Sequence, residues 1–182
     1  MGWFRKQAPA EPLGVTMAAV KLGERMLAVG VRNPVLTAQL AVKAGLTGRA
    51  CVVDDDEERL AKAAAAIEQE GALVEAVRAP YGMWPFDDGS FDVAVIADLL
   101  STLTPDVRVR CVSEVLRVLR PGGRAIVLEG MPRGGFGALL HRSAADPKYP
   151  GAIASLRDAG FAAVRQIAEA DGVLYVEGIK KA

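Results

Sequence analysis

The chain has 182 residues, 51% hydrophobic and 24% charged, and its 22 basic and 22 acidic residues leave no net charge. At about 150 residues per domain, positions 1–182 are expected to form one domain that buries its core without disulfide or metal staples, and the composition excludes disorder, collagen and coiled coil. The neutral balance offers no overall field to a polyanion, so no nucleic-acid partner is expected, and any anionic contact has to be local. Cys51 and Cys111 stand far apart in apolar runs and His141 is the sole histidine, so no zinc or disulfide framework and no metal site is expected. No stretch of about 18 apolar residues is present, which predicts no transmembrane segment and a cytoplasmic protein. Met1-Gly2 lacks the Ser or Thr of a myristoylation motif, since Lys6 stands there.

In chain order, a polar, proline-marked leader (1–12) precedes short apolar runs that alternate with helical patterns, the signature of βαβ units on a parallel sheet. Residues 25–30 read as the first strand. Asn33-Pro34 supplies an N-cap and a first-turn proline for a helix running to about Gly45. A second strand at 50–53 ends in an acidic run, and Leu60, Ala63, Ala64 and Ile67 then recur at helical spacing until Gly71. A third strand is predicted at 73–77, followed by a loop over 78–86 in which Pro80, Gly82 and Pro85 forbid a regular helix. Residues 91–97 form a near-continuous apolar run suited to a central strand.

Thr104-Pro105 caps a helix with Val107, Cys111, Val112, Val115, Leu116 and Leu119 on one face, closed by Pro121-Gly122-Gly123. A fifth strand is expected at 124–129. Beyond it lie a glycine-rich basic loop at 131–151, a short helix ending near Gly160, and two runs at 162–168 and 173–179 joined through Asp171-Gly172, a hairpin signal. The expected fold is α/β: five parallel strands with helices on both faces, extended by an antiparallel C-terminal hairpin into a Rossmann-like, seven-stranded, mostly parallel sheet.

Three motifs resemble the class I S-adenosylmethionine-dependent methyltransferases, closest to the quinone-biosynthesis and general small-molecule type. Trp84-Pro85-Phe86-Asp87-Asp88-Gly89-Ser90-Phe91-Asp92 is similar to that family's Leu-Pro-Phe-x-x-Gly-Ser-Phe-Asp segment. The run from Glu114 to Gly123 is similar to its Glu-x-x-Arg-Val-Leu-Arg-Pro-Gly-Gly segment. Ala159-Gly160-Phe161 with Gly178-x-Lys180 looks like its C-terminal ending, so the resemblance spans about residues 20–180.

The resemblance implies S-adenosylmethionine as cofactor, held by a glycine loop after the first strand and by an acid that accepts from the ribose hydroxyls after the second. Gly30 and Asp54 occupy those positions. The rest of the loop departs from Leu-Asp-x-Gly-x-Gly-x-Gly: Ala28 stands for the acid, and Arg32 and Pro34 stand for two glycines. Asp55 replaces an apolar adenine contact, Ala79-Pro80 falls where an adenine-binding Asp is frequent, and Ser101-Thr102 stand where a His pair is frequent.

Each departure leaves two readings. Asn33-Pro34 makes a well-capped turn whether or not a cofactor binds, and Arg32 could pair with an anionic ligand instead of a sulfonium. Asp54 serves a ribose or belongs to an acidic run in which Asp56 caps the next helix. Tyr81, Met83, Trp84 and Phe86 line a pocket or pack as satellites of the core. His141 is a candidate catalytic base or a bystander. Arg133, His141, Arg142 and Lys148 with their glycines form a basic loop, shorter than a usual lid, that binds phosphate, a partner or a membrane, or is simply solvated. Trp3-Phe4-Arg5-Lys6 docks on a neighbour or frays.

Two functions therefore stay open. One is a minimal methyltransferase acting on a small-molecule or partner-presented acceptor. The other is a non-catalytic relative serving as scaffold, homo-oligomer or protein-partner subunit, or as binder of another ligand. A nicotinamide dehydrogenase is disfavoured by the missing glycine fingerprint.

Overall fold

The computed structural model describes residues 11–131 and 149–182. Trp3-Phe4-Arg5-Lys6 and the segment with Arg133, His141, Arg142 and Lys148 lie outside the described residues, so the readings placed on them are not tested.

The elements are α1 (Leu13–Ala18), β1 (Arg25–Val29), α2 (Pro34–Ala44), β2 (Arg49–Asp54), α3 (Glu57–Gln69), β3 (Glu75–Arg78), β4 (Phe91–Ala97), α4 (Pro105–Val118), β5 (Leu119–Gly130), α5 (Ala152–Asp158), β6 (Ala162–Ala170) and β7 (Val173–Ile179). A 3-10 turn, Leu100–Thr102, follows β4. The seven strands form one sheet in the order β3-β2-β1-β4-β5-β7-β6. Strands β1 to β5 pair in parallel, and β7 inserts antiparallel between β5 and β6.

Alternation along the strands builds two cores. Leu27 and Val29 face one with Ala94 and Ile96, where α4, α5 and the 79–86 loop pack. Met26 and Ala28 face the other with Val93 and Val95, where α1, α2 and α3 pack. Apolar residues on both faces are what a parallel sheet covered by helices requires.

Helix α2 begins as its sequence predicts: Asn33 Oδ1 accepts from the Leu36 N–H at 3.0 Å and Pro34 opens the first turn. Asp56 caps α3 by accepting from the Arg59 N–H. The β6–β7 turn places Asp171 and Gly172 at φ 54° and 76°, the left-handed pair of a tight hairpin turn.

Two expectations are corrected, and one element was not expected. Helix α1 follows the leader unannounced; its six residues are too few for a periodic signal, and it is held by burying Val15 and Ala18. Strand β3 begins at Glu75, two residues later than expected, because the turn after α3 runs on to Val74 and leaves Leu73 79% exposed. Strand β5 begins at Leu119, which already pairs with Phe91, so Pro121-Gly122-Gly123 interrupts a strand. The next pair, Val93 with Arg124, lies beyond a register shift, and Gly122 sits at φ 73°. Leu119 is therefore the first strand residue, one position past the last helical residue, Val118.

Candidate functional site

In an open parallel sheet the ligand crevice lies beyond the carboxyl ends of the strands, where the strand order reverses; here that point is between β1 and β4. Gly30 leaves β1 there at φ 69°, with its N–H donating to the Val53 carbonyl. A Cβ on Gly30 would stand 2.7 Å from Leu99 Cδ2, so the Leu99 side chain rests directly on the glycine backbone. Leu99 is itself fully buried. The chain then turns tightly, the Arg32 N–H donating to the Gly30 carbonyl, before Asn33 starts α2. The Arg32 guanidinium reaches across to the 3-10 turn after β4 and donates to the Thr102 hydroxyl at 3.0 Å.

Asp54, at the end of β2, is completely buried. Its Oδ2 accepts from the Val31 N–H at 3.0 Å and its Oδ1 from the Asp56 N–H at 2.9 Å. Arg59 lies over the same carboxylate, its Nε 3.1 Å from both oxygens and its Nη2 2.7 Å from Oδ1. The same guanidinium also pairs with Asp55 and Asp56. Burial pushes the Asp54 carboxyl up, but the Arg59 and Asp56 hydrogen bonds outweigh it and hold the group below the usual aspartate value. Asp55 is pushed the other way, by burial and by the neighbouring Asp54.

The loop over 78–86 settles its two readings separately. Tyr81, Trp84 and Phe86 are buried in the core, and Phe86 meets Phe91 edge to face at 5.0 Å, so these three are core residues. Met83 is 72% exposed and, with the buried Tyr81, lines an open cleft of about 610 Å3 together with Asp55, Arg78, Pro80, Val107 and Arg110. Among the described residues, the buried Tyr81 hydroxyl and Trp84 indole N–H have no hydrogen-bond partner. Burial and the Asp54 and Asp55 charges push the Tyr81 hydroxyl above its ordinary value.

A second polar cluster, at the ends of β4 and β5, was not singled out from the sequence. Glu129 is buried and accepts from the Tyr149 hydroxyl and from the Ala152 N–H. Burial raises its pKa more than these donors lower it. The Arg108 guanidinium lies 4.8 Å from the Tyr149 ring centre. Asp98 adopts φ 50° and accepts from the Gly130 N–H at 2.8 Å. The available signal was an acid closing the apolar run Ile126-Val127-Leu128-Glu129, the same pattern that marked Asp54. Among the described residues no group of His, Cys, Asp and Glu is arranged to hold a metal ion, and no helix is long and apolar enough to cross a membrane.

The structure thus places Gly30 and Asp54 at one crevice and engages both internally. A cofactor with ribose hydroxyls would need free acceptor positions on Asp54, which Arg59 and two backbone N–H groups fill. A cofactor carrying a sulfonium cation would also have to lie beside Arg32. As folded, S-adenosylmethionine would have to displace Arg59 to reach the Asp54 carboxylate.

Residues 26–123 match the family model of the methyltransferase domain. The ubiquinone/menaquinone biosynthesis C-methyltransferase of Idiomarina loihiensis is 31% identical over 117 residues, which is 63% of this chain and 46% of that protein. The chain spans about half the length of the curated relatives it matches. Among solved structures, a SAM-dependent methyltransferase from Aquifex aeolicus superposes with a TM-score of 0.75 at 19% identity, covering 91% of this chain and 87% of that one. A Haloferax volcanii methyltransferase chain solved with the Trm112 methyltransferase activator gives a TM-score of 0.71 at 18% identity, with coverages of 93% and 88%.

Proposed function

Because the chain belongs to the class I S-adenosylmethionine-dependent methyltransferase family, we propose that it is a methyltransferase-like domain whose cofactor crevice is held by its own arginines and which, in this closed form, transfers no methyl group. The observation that carries this reading is the Asp54 carboxylate, wholly buried and engaged by Arg59, Val31 and Asp56. Ala28, Pro34 and Ala79 remove three further contacts that the family makes. The domain then serves as a scaffold or subunit, with a second copy or another protein as its partner; the Haloferax chain solved with an activator is a precedent for such pairing within this fold.

A second reading is S-adenosylmethionine-dependent transfer to a small-molecule or partner-presented acceptor. It is supported by the position of Asp54 and by the Arg59 side chain being 32% exposed, which leaves it a path off the carboxylate into solvent.

Calorimetric titration with S-adenosylmethionine and S-adenosylhomocysteine separates the two readings. Under the first, the wild type gives no saturable heat up to millimolar concentration, and Arg59→Met tightens binding at least tenfold. Micromolar wild-type binding, about −8 kcal/mol, abolished by Asp54→Ala, would establish the second.

A further inference from the structure

We propose that the groove between α1 and α2 is the docking site of the chain's own leader, with Trp3 and Phe4 on its apolar floor and Arg5 and Lys6 against the Glu70 carboxylate. The groove has a volume of about 380 Å3 and is floored by Pro12, Val15 and Val42. Such a volume falls at the lower end of those that enclose a ligand, commonly about 300–1,000 Å3.

Helix α2 shows why the groove calls for an occupant. Lys43 is its only charged residue. Val35 and Val42, two turns apart on one outward side, are 64% and 45% exposed, with the neutral Gln39 between them. A surface helix ordinarily turns a polar face to water, so bare valines beside an apolar groove mark a contact surface.

Charge selects the occupant. Lys43 is already paired with Glu11 at the groove. Glu70, the residue that closes α3, lines the groove, and its side chain makes no hydrogen bond or ion pair among the described residues. No basic residue stands in the last turn of α3 to answer the negative end of that helix. The groove therefore joins an apolar floor to an uncompensated carboxylate, and aromatic rings next to cations complement both. Residues 1–10 carry that pattern in Trp3-Phe4-Arg5-Lys6 and contain no acid.

The described chain begins at Glu11, itself a lining residue of the groove. Phe4 lies seven residues before it, a reach of about 23–25 Å when extended, whereas Val42 and Val35 stand about 10 Å apart along the helix. So short a tether holds the rings at about millimolar effective concentration, which favours the chain's own leader over that of a second copy. The groove meets the C-terminal half of α2 and the crevice its N-terminus, so the inference does not depend on whether the crevice binds a cofactor.

The test is NMR on the full chain with labelled valine methyls, together with the rate of tryptic cleavage after Arg5 and Lys6. Nuclear Overhauser contacts from the Trp3 and Phe4 rings to the Val42 methyls are expected, unchanged on tenfold dilution and absent between labelled and unlabelled copies in a mixed sample. Val42→Lys and Glu70→Lys place a cation near a helix C-terminus, which is compatible with folding and is checked by an unchanged melting temperature. Each is expected to speed cleavage at least fivefold, whereas Val109→Lys on α4, across the sheet, leaves the rate unaltered. Missing ring-to-Val42 contacts, contacts found only between copies, or a cleavage rate that either groove variant leaves unaltered would each overturn the proposal.

Discussion

The β4–α4–β5 frame and the β1–β2 crevice occupy the same sheet, and they treat their family-like residues in different ways. In the frame each such residue has a mechanical task. Glu114 accepts from the Trp84 N–H at 3.1 Å and from Arg117, which donates in turn to the Phe86 carbonyl at 2.8 Å and to Asp88 at 2.7 Å. Lys180 Nζ donates to the Arg117 and Leu119 carbonyls at the end of α4, and Asp92 is held between Arg25 and Arg120. The three sequence segments that carried the resemblance are thus one clamp in space. In the crevice, Gly30 and Asp54 keep their positions, but the Leu99 side chain rests on Gly30 and the Arg59 guanidinium on Asp54, side chains that this sequence supplies itself. A motif can hold the fold together whatever the chemistry; the loop after β1 is where this chain departs from the family pattern.

The largest expected effect is on the frame. Arg117→Ala removes the donor that ties the 84–88 loop to α4 and leaves Glu114 facing a single N–H, so it should cost about 2–4 kcal/mol and lower the melting temperature by about 5–15 °C. A loss below about 1 kcal/mol by chemical denaturation would break the comparison from the frame side. On the crevice side, Gly30→Ala meets both a left-handed φ and the Leu99 methyl at 2.7 Å. It should destabilise by about 1–3 kcal/mol, and a neutral result would show that the crevice backbone is not packed as described.

Acid titration sharpens the contrast further. Burial pushes the Asp92 carboxyl up, but hydrogen bonds from Arg25 and Arg120 bring it down to about 2. A depressed folded pKa adds stability that is complete above the unfolded value near about 3.9 and is lost as the pH falls through about 2. Asp92→Asn should therefore be less stable than wild type above about pH 4, with the gap closing toward about pH 2; a gap independent of pH would contradict the assignment. The smallest effect belongs to Arg32→Ala, which removes one exposed hydrogen bond to Thr102 and should change stability by less than about 1 kcal/mol.

The fold was legible because its signals are local. The cap Asn33-Pro34, the apolar run of β4 and the Asp171-Gly172 turn each determine a short segment by backbone chemistry, and the observed elements follow them. What was not legible depends on distant neighbours. Leu119 joins a strand because Phe91 is there to pair with it, and α1 exists because the sheet offers a face to Val15 and Ala18. In the crevice the sequence located Gly30 and Asp54 and left open what engages them. Arg59 reads locally as one more charged residue on an exposed helix turn, and only the tertiary path of β2 into α3 sets its guanidinium on Asp54. Glu129 was missed for the same reason: its partners Tyr149 and Ala152 lie about twenty residues further along the chain.

The central claim, that Asp54 is engaged by Arg59 and closed to a ligand, is tested most directly by following the Asp54 carboxyl 13C resonance through a pH titration, with and without S-adenosylhomocysteine. The account predicts a pKa below the usual aspartate range in wild type that rises in Arg59→Met, and a wild-type resonance that an excess of the ligand does not move. An ordinary pKa in wild type, or a saturable ligand-induced shift with Arg59 in place, would contradict it.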